Sequence, residues 1–121
     1  MLDPNVMQRL RETMAQPDVM SAYVINGQIY PRRDATSEPA PRPEPSEGIL
    51  SFYVVYNHPS DFPEGWVARR NDFDMNIKEI RMTSDIYVAD TLEECRAILP
   101  RGLTNIGRQP EDDPKIYEVW I

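Results

Sequence analysis

The chain has 121 residues, a net charge of −7 at pH 7 and a sequence pI of about 4.6. Its length suits a single domain, and an ordered core of about 75 to 90 residues would gain stability from oligomerisation. The acidic charge argues against binding of DNA or RNA polymers, which requires a basic surface. The single cysteine, Cys95, excludes an internal disulfide, and the N-terminal residues lack the apolar run of a signal peptide or a membrane span. We therefore expect a cytoplasmic homo-oligomer with no membrane partner.

The first 30 residues predict a helix followed by a β-hairpin. Asp3 can cap the helix and Pro4 suits its first position. The apolar stripe of this helix consists of Val6, Met7, Leu10 and Met14. The stripe either packs on its own domain or joins subunits, and the sequence leaves both alternatives open. Asn26 and Gly27 stand between two apolar runs and predict the type I′ turn of a hairpin.

The rest of the chain predicts a linker and an α+β domain. Residues 31–48 carry prolines at positions 39, 41, 43 and 45, so we expect an extended, solvated spacer and not a peptide for a proline-binding domain. Residues 49–121 contain four strand-like segments, ILSFYVVY, WVARRN, EIRMTSDIYVAD and KIYEVWI, and one helical segment, TLEECRAIL. The predicted fold is a small, mainly antiparallel sheet with one packed helix, preceded by the N-terminal helix and hairpin of residues 1–30.

Residues with catalytic or metal-binding chemistry are few. His58 and Asp61 could begin a general-base pair, but no nucleophile stands in a recognisable motif, so a structural role for the loop HPSDFPEG is favoured over a hydrolase. Asp72 and Asp74 lack the glycine and the distal glutamate of a calcium loop. A glycine-rich phosphate loop is also missing from the sequence. We expect a protein that is not an enzyme and that uses no cofactor or metal.

The arginines are the strongest indication of a binding site. Neighbouring residues in a strand face opposite sides, so one arginine of the VARR segment should point towards a site. The segment RGLTNIGRQP adds two arginines and two hydrogen-bonding side chains, and an aromatic ring could stack on a base. The predicted ligand-binding residues are Arg69, Arg70, Arg101, Thr104, Asn105, Arg108 and Tyr56. The alternative is that each arginine pairs with an acid nearby, for instance Asp112 or Asp113.

Three segments resemble short proteins of phages and prophages. They are YNHPSDFPEGWVARR, DTLEECRAILPRGL and RQPEDDPKIYEVWI, which follow one another within roughly residues 52 to 121. The layout also resembles the phage Thoeris anti-defence proteins that sequester cyclic ADP-ribose isomers and, in some members, cyclic oligonucleotides. The resemblance implies an oligomer that binds its nucleotide without cleaving it. No ligand-binding motif of that family aligns with this chain, so the arginine assignments rest on its own residues.

Two functions of different classes follow from these observations. The first is a phage immune-evasion protein that sequesters a phosphate-bearing signalling nucleotide in the host cytoplasm. The second is an acidic inhibitor that binds a host defence protein directly, because negative charge can imitate nucleic acid against a basic groove.

Overall fold

The computed structural model describes residues 3–34, 38–44, 46–109 and 113–121. The elements in chain order are α1 (Pro4–Met14), β1 (Ser21–Ile25), β2 (Gln28–Arg32), β3 (Ile49–Asn57), β4 (Trp66–Asp74), β5 (Glu79–Ala89), α2 (Leu92–Ile98), β6 (Asn105–Gly107) and β7 (Ile116–Trp120). The strands form one antiparallel sheet in the order β2-β1-β5-β4-β3-β7-β6. The predicted α+β class is confirmed. Neither described helix has the length and apolarity needed to cross a lipid bilayer.

Helix α1 packs on one face of the sheet, which we call the α1 face. The Asp3 carboxylate caps the helix by accepting a hydrogen bond of 2.8 Å from the Asn5 N–H. Val6 and Leu10 are buried against residues that alternate along three strands and against the loop residue Phe62. The strand residues of this core are Ala22, Val24, Val67, Ile86 and Val88. The apolar stripe of α1 therefore packs on its own sheet, and a role in self-association stays a prediction.

The hairpin of β1 and β2 extends the same sheet. Asn26 and Gly27 have φ angles of 53° and 77°, as a type I′ turn requires. Strand β1 pairs with β5, for instance through Tyr23 and Tyr87. The hairpin thus shares its hydrogen bonding with strands from residues 49–121. The division into segments 1–30, 31–48 and 49–121 remains an interpretation of the sequence.

Helix α2 packs on the opposite face, which we call the α2 face. The Thr91 hydroxyl caps the helix by accepting a hydrogen bond of 3.2 Å from the Glu94 N–H. Cys95 and Ile98 are buried in a core formed with Tyr53, Val55, Ala68, Tyr87, Ala89 and Leu99. Burial raises the pKa of the Cys95 thiol to about 12. The Cys95 side chain is thus a packing group of the core whose thiol stays protonated near neutral pH.

The proline-rich segment is anchored on α2, which the sequence did not predict. Ala40 is buried, and its N–H donates a hydrogen bond of 3.0 Å to the Ile98 carbonyl. Pro39 and Pro41 have no N–H, so Ala40 carries the single backbone donor of this tripeptide. That donor satisfies a carbonyl at the end of a helix, where the intrahelical partner is missing. The segment is therefore solvated only in part.

The loop HPSDFPEG between β3 and β4 closes one end of the α1 face. Phe62 is buried in the core there, and the Asp61 carboxylate binds the Arg69 guanidinium. A Cβ atom at Gly65 would stand 2.4 Å from the Ala89 carbonyl oxygen, so only glycine fits this approach. Trp66 is half-buried and packs on the α2 face. The loop fixes the start of β4.

Candidate anion-binding site

A cavity of about 380 Å³ lies at the C-terminal end of α2 and brings arginines from three elements together. Arg32 comes from β2, Arg96 from α2 and Arg101 from the turn after α2. The indole ring of Trp120 in β7 forms one wall of the cavity, and Pro39 and Leu103 also line it. We call this the arginine cavity. It combines cationic groups with a ring on which a planar ligand can stack.

Glu118 is the buried carboxylate that orients two of the lining side chains. It accepts hydrogen bonds from Nε and Nη2 of Arg96 at 2.9 and 2.5 Å and from Nε1 of Trp120 at 2.5 Å. Nδ2 of Asn105 donates a fourth bond of 3.2 Å. Burial alone would raise the pKa of Glu118, but the bonds from Arg96 and Trp120 outweigh it and hold that pKa below its usual value. Arg96 and Trp120 are therefore fixed in place by an ionised group.

Arg32 is held in a similar way by an acid of α2. Its Nε lies 3.4 Å from Oε2 of Glu94, and both side chains are largely buried. The same Glu94 oxygen accepts a hydrogen bond of 3.0 Å from the Ser21 hydroxyl. The carboxylate thus connects α2 to β1 and β2. Arg32 and Arg96 form the inner wall of the cavity, and each carries a counterion.

Arg101 is the exposed cation of the arginine cavity. Its side chain is 78% exposed, and the carboxylate with which it pairs, at 3.7 Å, belongs to Glu38, which is 88% exposed. Surface pairs of this kind contribute at most about 1 kcal/mol because water screens them and both side chains lose entropy. Arg101 can therefore exchange its carboxylate for a ligand at low cost. It is the predicted site residue with the best position for binding.

The two arginines of the VARR segment lie on opposite faces of the sheet, away from the arginine cavity. Arg69 lies on the α1 face with Asp61. Arg70 lies on the α2 face, with Nε 3.5 Å from Asp72 and Nη1 3.3 Å from Asp85. The structure does not bring either of them to Arg101.

The remaining predicted residues are divided between the cavity and the surface. Asn105 is committed to Glu118, and the backbone of Thr104 pairs with Ile121 at the sheet edge. Arg108 is exposed after β6, and Tyr56 lies on the α1 face opposite Val67. Of the acids proposed as alternative partners, Asp113 accepts a hydrogen bond from the Lys115 N–H, whereas Asp112 lies outside the described residues.

The histidine and aspartate of the HPSDFPEG loop have different partners. Nδ1 of His58 lies 2.6 Å from Oδ1 of Asn57, whereas the Asp61 carboxylate binds Arg69. The Asp72 carboxylate accepts a hydrogen bond of 2.7 Å from the Ser51 hydroxyl. Among the described residues, no group of three or more candidate metal ligands comes together.

No protein-family model, curated protein sequence or solved structure matches this chain. We therefore infer the function from the geometry of the arginine cavity and of the surfaces around it.

Proposed function

We propose that the chain is a non-enzymatic binding protein that captures a small phosphate-bearing ligand, a signalling nucleotide, in the arginine cavity. The observation that carries the proposal is the meeting of three guanidinium groups and one indole ring in a space of about 380 Å³. Cavities that hold small ligands have volumes of about 300 to 1,000 Å³, with a few convergent polar groups. The arginine cavity has that size and contains convergent polar groups.

The chemistry of the lining residues fits a nucleotide. A guanidinium binds phosphate through two parallel hydrogen bonds, and Arg101 is exposed enough to turn towards one. Arg96 uses Nε and Nη2 on Glu118, which leaves Nη1 for a ligand. The Trp120 ring, fixed by its own bond to Glu118, offers a stacking surface for a base. None of these contacts requires a nucleophile.

The resemblance to phage and prophage proteins supports a role in immune evasion. A phage protein that sequesters a signalling nucleotide in the bacterial cytoplasm would keep the signal from its receptor. Cyclic ADP-ribose isomers and cyclic oligonucleotides are the candidate ligands, and capture at sub-micromolar concentration needs at least about 8 kcal/mol of binding free energy. A homo-oligomer would place several such cavities on one particle.

Calorimetric titration with cyclic ADP-ribose isomers and cyclic di- and trinucleotides tests the proposal. We expect one of these ligands to bind, to be recovered intact after heat release, and to bind at least about tenfold more weakly to Arg101→Ala. Arg81→Ala is the matched control, because Arg81 is 72% exposed, close to the 78% of Arg101, and pairs with Asp74 outside the cavity. A cleaved product would contradict binding without catalysis, and equal losses in both variants would contradict the site.

Direct binding of a host defence protein is the second candidate, and an exposed apolar surface favours it. Several large apolar side chains at one end of the sheet are between 40% and 64% exposed, namely Leu50, Met75, Ile77, Ile80 and Met82. We call this the apolar end. Contiguous exposed apolar surface is typical of protein interaction sites, and the acidic charge of the chain would complement a basic partner.

Capture of a host protein by immobilised chain would test this second function. We expect Ile80→Glu with Met82→Glu to abolish capture, whereas Arg101→Ala should leave it unchanged. Retention of the partner by the glutamate variant would contradict binding through the apolar end.

A further inference from the structure

Strand β3 is longer than the pairing with its neighbour β7, so part of an inner strand forms an open sheet edge. Strand β4 pairs with all nine residues of β3, from Ile49 to Asn57. Strand β7 pairs only with residues 53–56, and no other strand of the described chain continues beyond it along β3. Residues 49–51 therefore have a strand on the β4 side only, and we call their free side the open edge.

The hydrogen-bonding groups at the open edge follow from the alternation along β3. The Asn57 N–H points towards β7, because it donates a hydrogen bond of 2.8 Å to the Lys115 carbonyl. Alternate residues of a strand direct their backbone groups to the same side, so Ser51 and Ile49 direct theirs to the β7 side as well. The Ile49 N–H donates a hydrogen bond of 3.0 Å to the Ser46 carbonyl. The N–H and the C=O of Ser51 and the C=O of Ile49 remain at the open edge, where no described strand reaches them.

A cavity of about 620 Å³ lies between the open edge and the proline-rich segment. Its lining includes Ile49 and Ser51 from β3, Arg42 and Pro43 from the segment, and Ile121, which follows β7. We call it the edge cavity. Because the end of β7 and the open edge both line it, the cavity occupies the place in which a strand would continue β7 along β3.

The proline-rich segment does not close this edge. Residues 38–44 have no regular secondary structure and form no ladder with β3. Pro41 and Pro43 lack the N–H, and since they are two residues apart they remove the donors from one side of any strand that the segment could form. The Ala40 N–H is bound to the Ile98 carbonyl on α2. The segment is thus held as a wall opposite β3.

We propose that the edge cavity binds an extended peptide segment of a protein partner, which adds to β3 as a short antiparallel strand. Unpaired N–H and C=O groups at strand spacing recognise the backbone of another strand. One peptide residue exchanges two hydrogen bonds with Ser51, and the Ile49 carbonyl accepts a bond from the N–H two residues further on. The peptide side chain between these positions lies beside Leu50, which is 40% exposed, and is therefore apolar. None of the three arginines of the arginine cavity lines this site, and the proposal does not depend on nucleotide binding.

Nuclear magnetic resonance of the isotope-labelled full chain tests the site with the neutral capped peptide acetyl-Lys-Thr-Val-Thr-Glu-amide. We expect saturable binding with a dissociation constant below about 1 mM and a shift of the Ser51 amide signal. Hydrogen exchange of that amide should be fast in the free chain and slow at least about tenfold at saturation, because the peptide covers it.

Two substitutions at Ser51 separate its backbone from its side chain. Ser51→Pro removes an N–H that does not pair with β4, so binding should weaken about tenfold while the sheet is kept. Ser51→Ala is the matched control, because it loses the hydroxyl that donates a bond of 2.7 Å to Asp72 but keeps the N–H. It should bind the peptide as the wild type does. Urea denaturation of both variants shows whether each is folded.

Two N-methylated peptides test the same backbone pairing without changing the protein. N-methylation of the first threonine removes the donor to the Ser51 carbonyl and should weaken binding about tenfold, whereas the valine N–H points away from β3 and its N-methylation should have little effect. Equal losses in the two peptides, equal losses in Ser51→Pro and Ser51→Ala, or no saturable binding at millimolar peptide would overturn the proposal. A shift of the Ser51 signal with protein concentration alone would assign the edge to a second copy of the chain and would also overturn it.

Variants of the other proposed sites separate this proposal from them. Arg101→Ala should bind the peptide as the wild type does, even where it has lost a nucleotide. Ile80→Glu with Met82→Glu should also bind it normally, because neither residue lines the edge cavity. A loss of peptide binding in either variant would contradict a site at the open edge.

Discussion

The two faces of the sheet differ in what their helices leave uncovered. On the α1 face the uncovered part includes Ile80 and Met82 of the apolar end, which precede the buried Ile86 along β5. On the α2 face the uncovered part holds the arginine cavity, where the carboxylates of Glu94 and Glu118 position guanidinium groups. An apolar surface suits a protein partner, whereas oriented cations suit a small anion. We therefore propose small-anion binding on the α2 face and protein contacts at the apolar end.

The largest expected effect is on the core of the α1 face. Leu10 is fully buried, so Leu10→Ala should lower the free energy of unfolding by about 3 kcal/mol through lost burial and a residual cavity. Urea denaturation measures this loss. Met82→Ala is the control, because its exposed side chain should change stability by less than about 0.5 kcal/mol. An equally small loss in Leu10→Ala would contradict the packing of α1 on the sheet.

On the α2 face, Glu118→Gln should lower the free energy of unfolding by about 2 kcal/mol at pH 7, because Arg96 loses its counterion. The folded-state pKa of Glu118 lies below its ordinary value of 4.5, so its contribution is complete above that pH. The contribution is lost as the pH falls through the folded-state pKa. Denaturation of both proteins at pH 7 and at acidic pH should show a difference that shrinks on acidification. A difference independent of pH would show that the carboxylate charge is not responsible.

Charges placed on the apolar end should affect association and not folding. Ile80→Glu with Met82→Glu should reduce the native mass if this surface joins copies of the chain, because two charges would have to be buried. Sedimentation velocity over a range of concentrations measures the mass. Leu10→Glu is unsuitable for this purpose, since Leu10 is in the core. An oligomer of unchanged mass in the double variant would show that a surface other than the apolar end joins the copies.

The smallest expected signal is the reactivity of Cys95. Burial raises the pKa of its thiol to about 12, so little thiolate forms at pH 8. Alkylation by iodoacetamide should therefore be slow in the native protein and fast in urea. Rapid labelling of the native chain would show that α2 opens readily or is placed differently on the sheet.

The elements that have strong local sequence signals were predicted. Caps and apolar spacing predicted α1 and α2, and Asn26-Gly27 predicted the first hairpin, because these features depend on neighbouring residues. Strand β6 was not predicted, since Asn105–Gly107 has only three residues and lacks an apolar run. The burial of Ala40 was also missed, because its partner on α2 is distant in sequence.

The binding site was predictable only in part. Arg101 was found because it lies in a turn with glycine, but Arg32, Arg96 and Trp120 meet only through the order of the strands. A usable signal existed in IYEVW, where Glu118 interrupts an apolar strand and so requires a basic partner when it is buried. The sequence does not show that this partner is an arginine on α2.

The most direct test of the central claim is to record the indole N–H signals of the two tryptophans by nuclear magnetic resonance during nucleotide titration. Trp120 lines the arginine cavity, whereas Trp66 packs against Tyr117 with ring centroids 5.0 Å apart and does not line it. We predict a saturable shift of the Trp120 signal, an unmoved Trp66 signal, and loss of the shift in Arg101→Ala. Binding that shifts only Trp66, or that leaves both signals in place, would contradict capture in the arginine cavity.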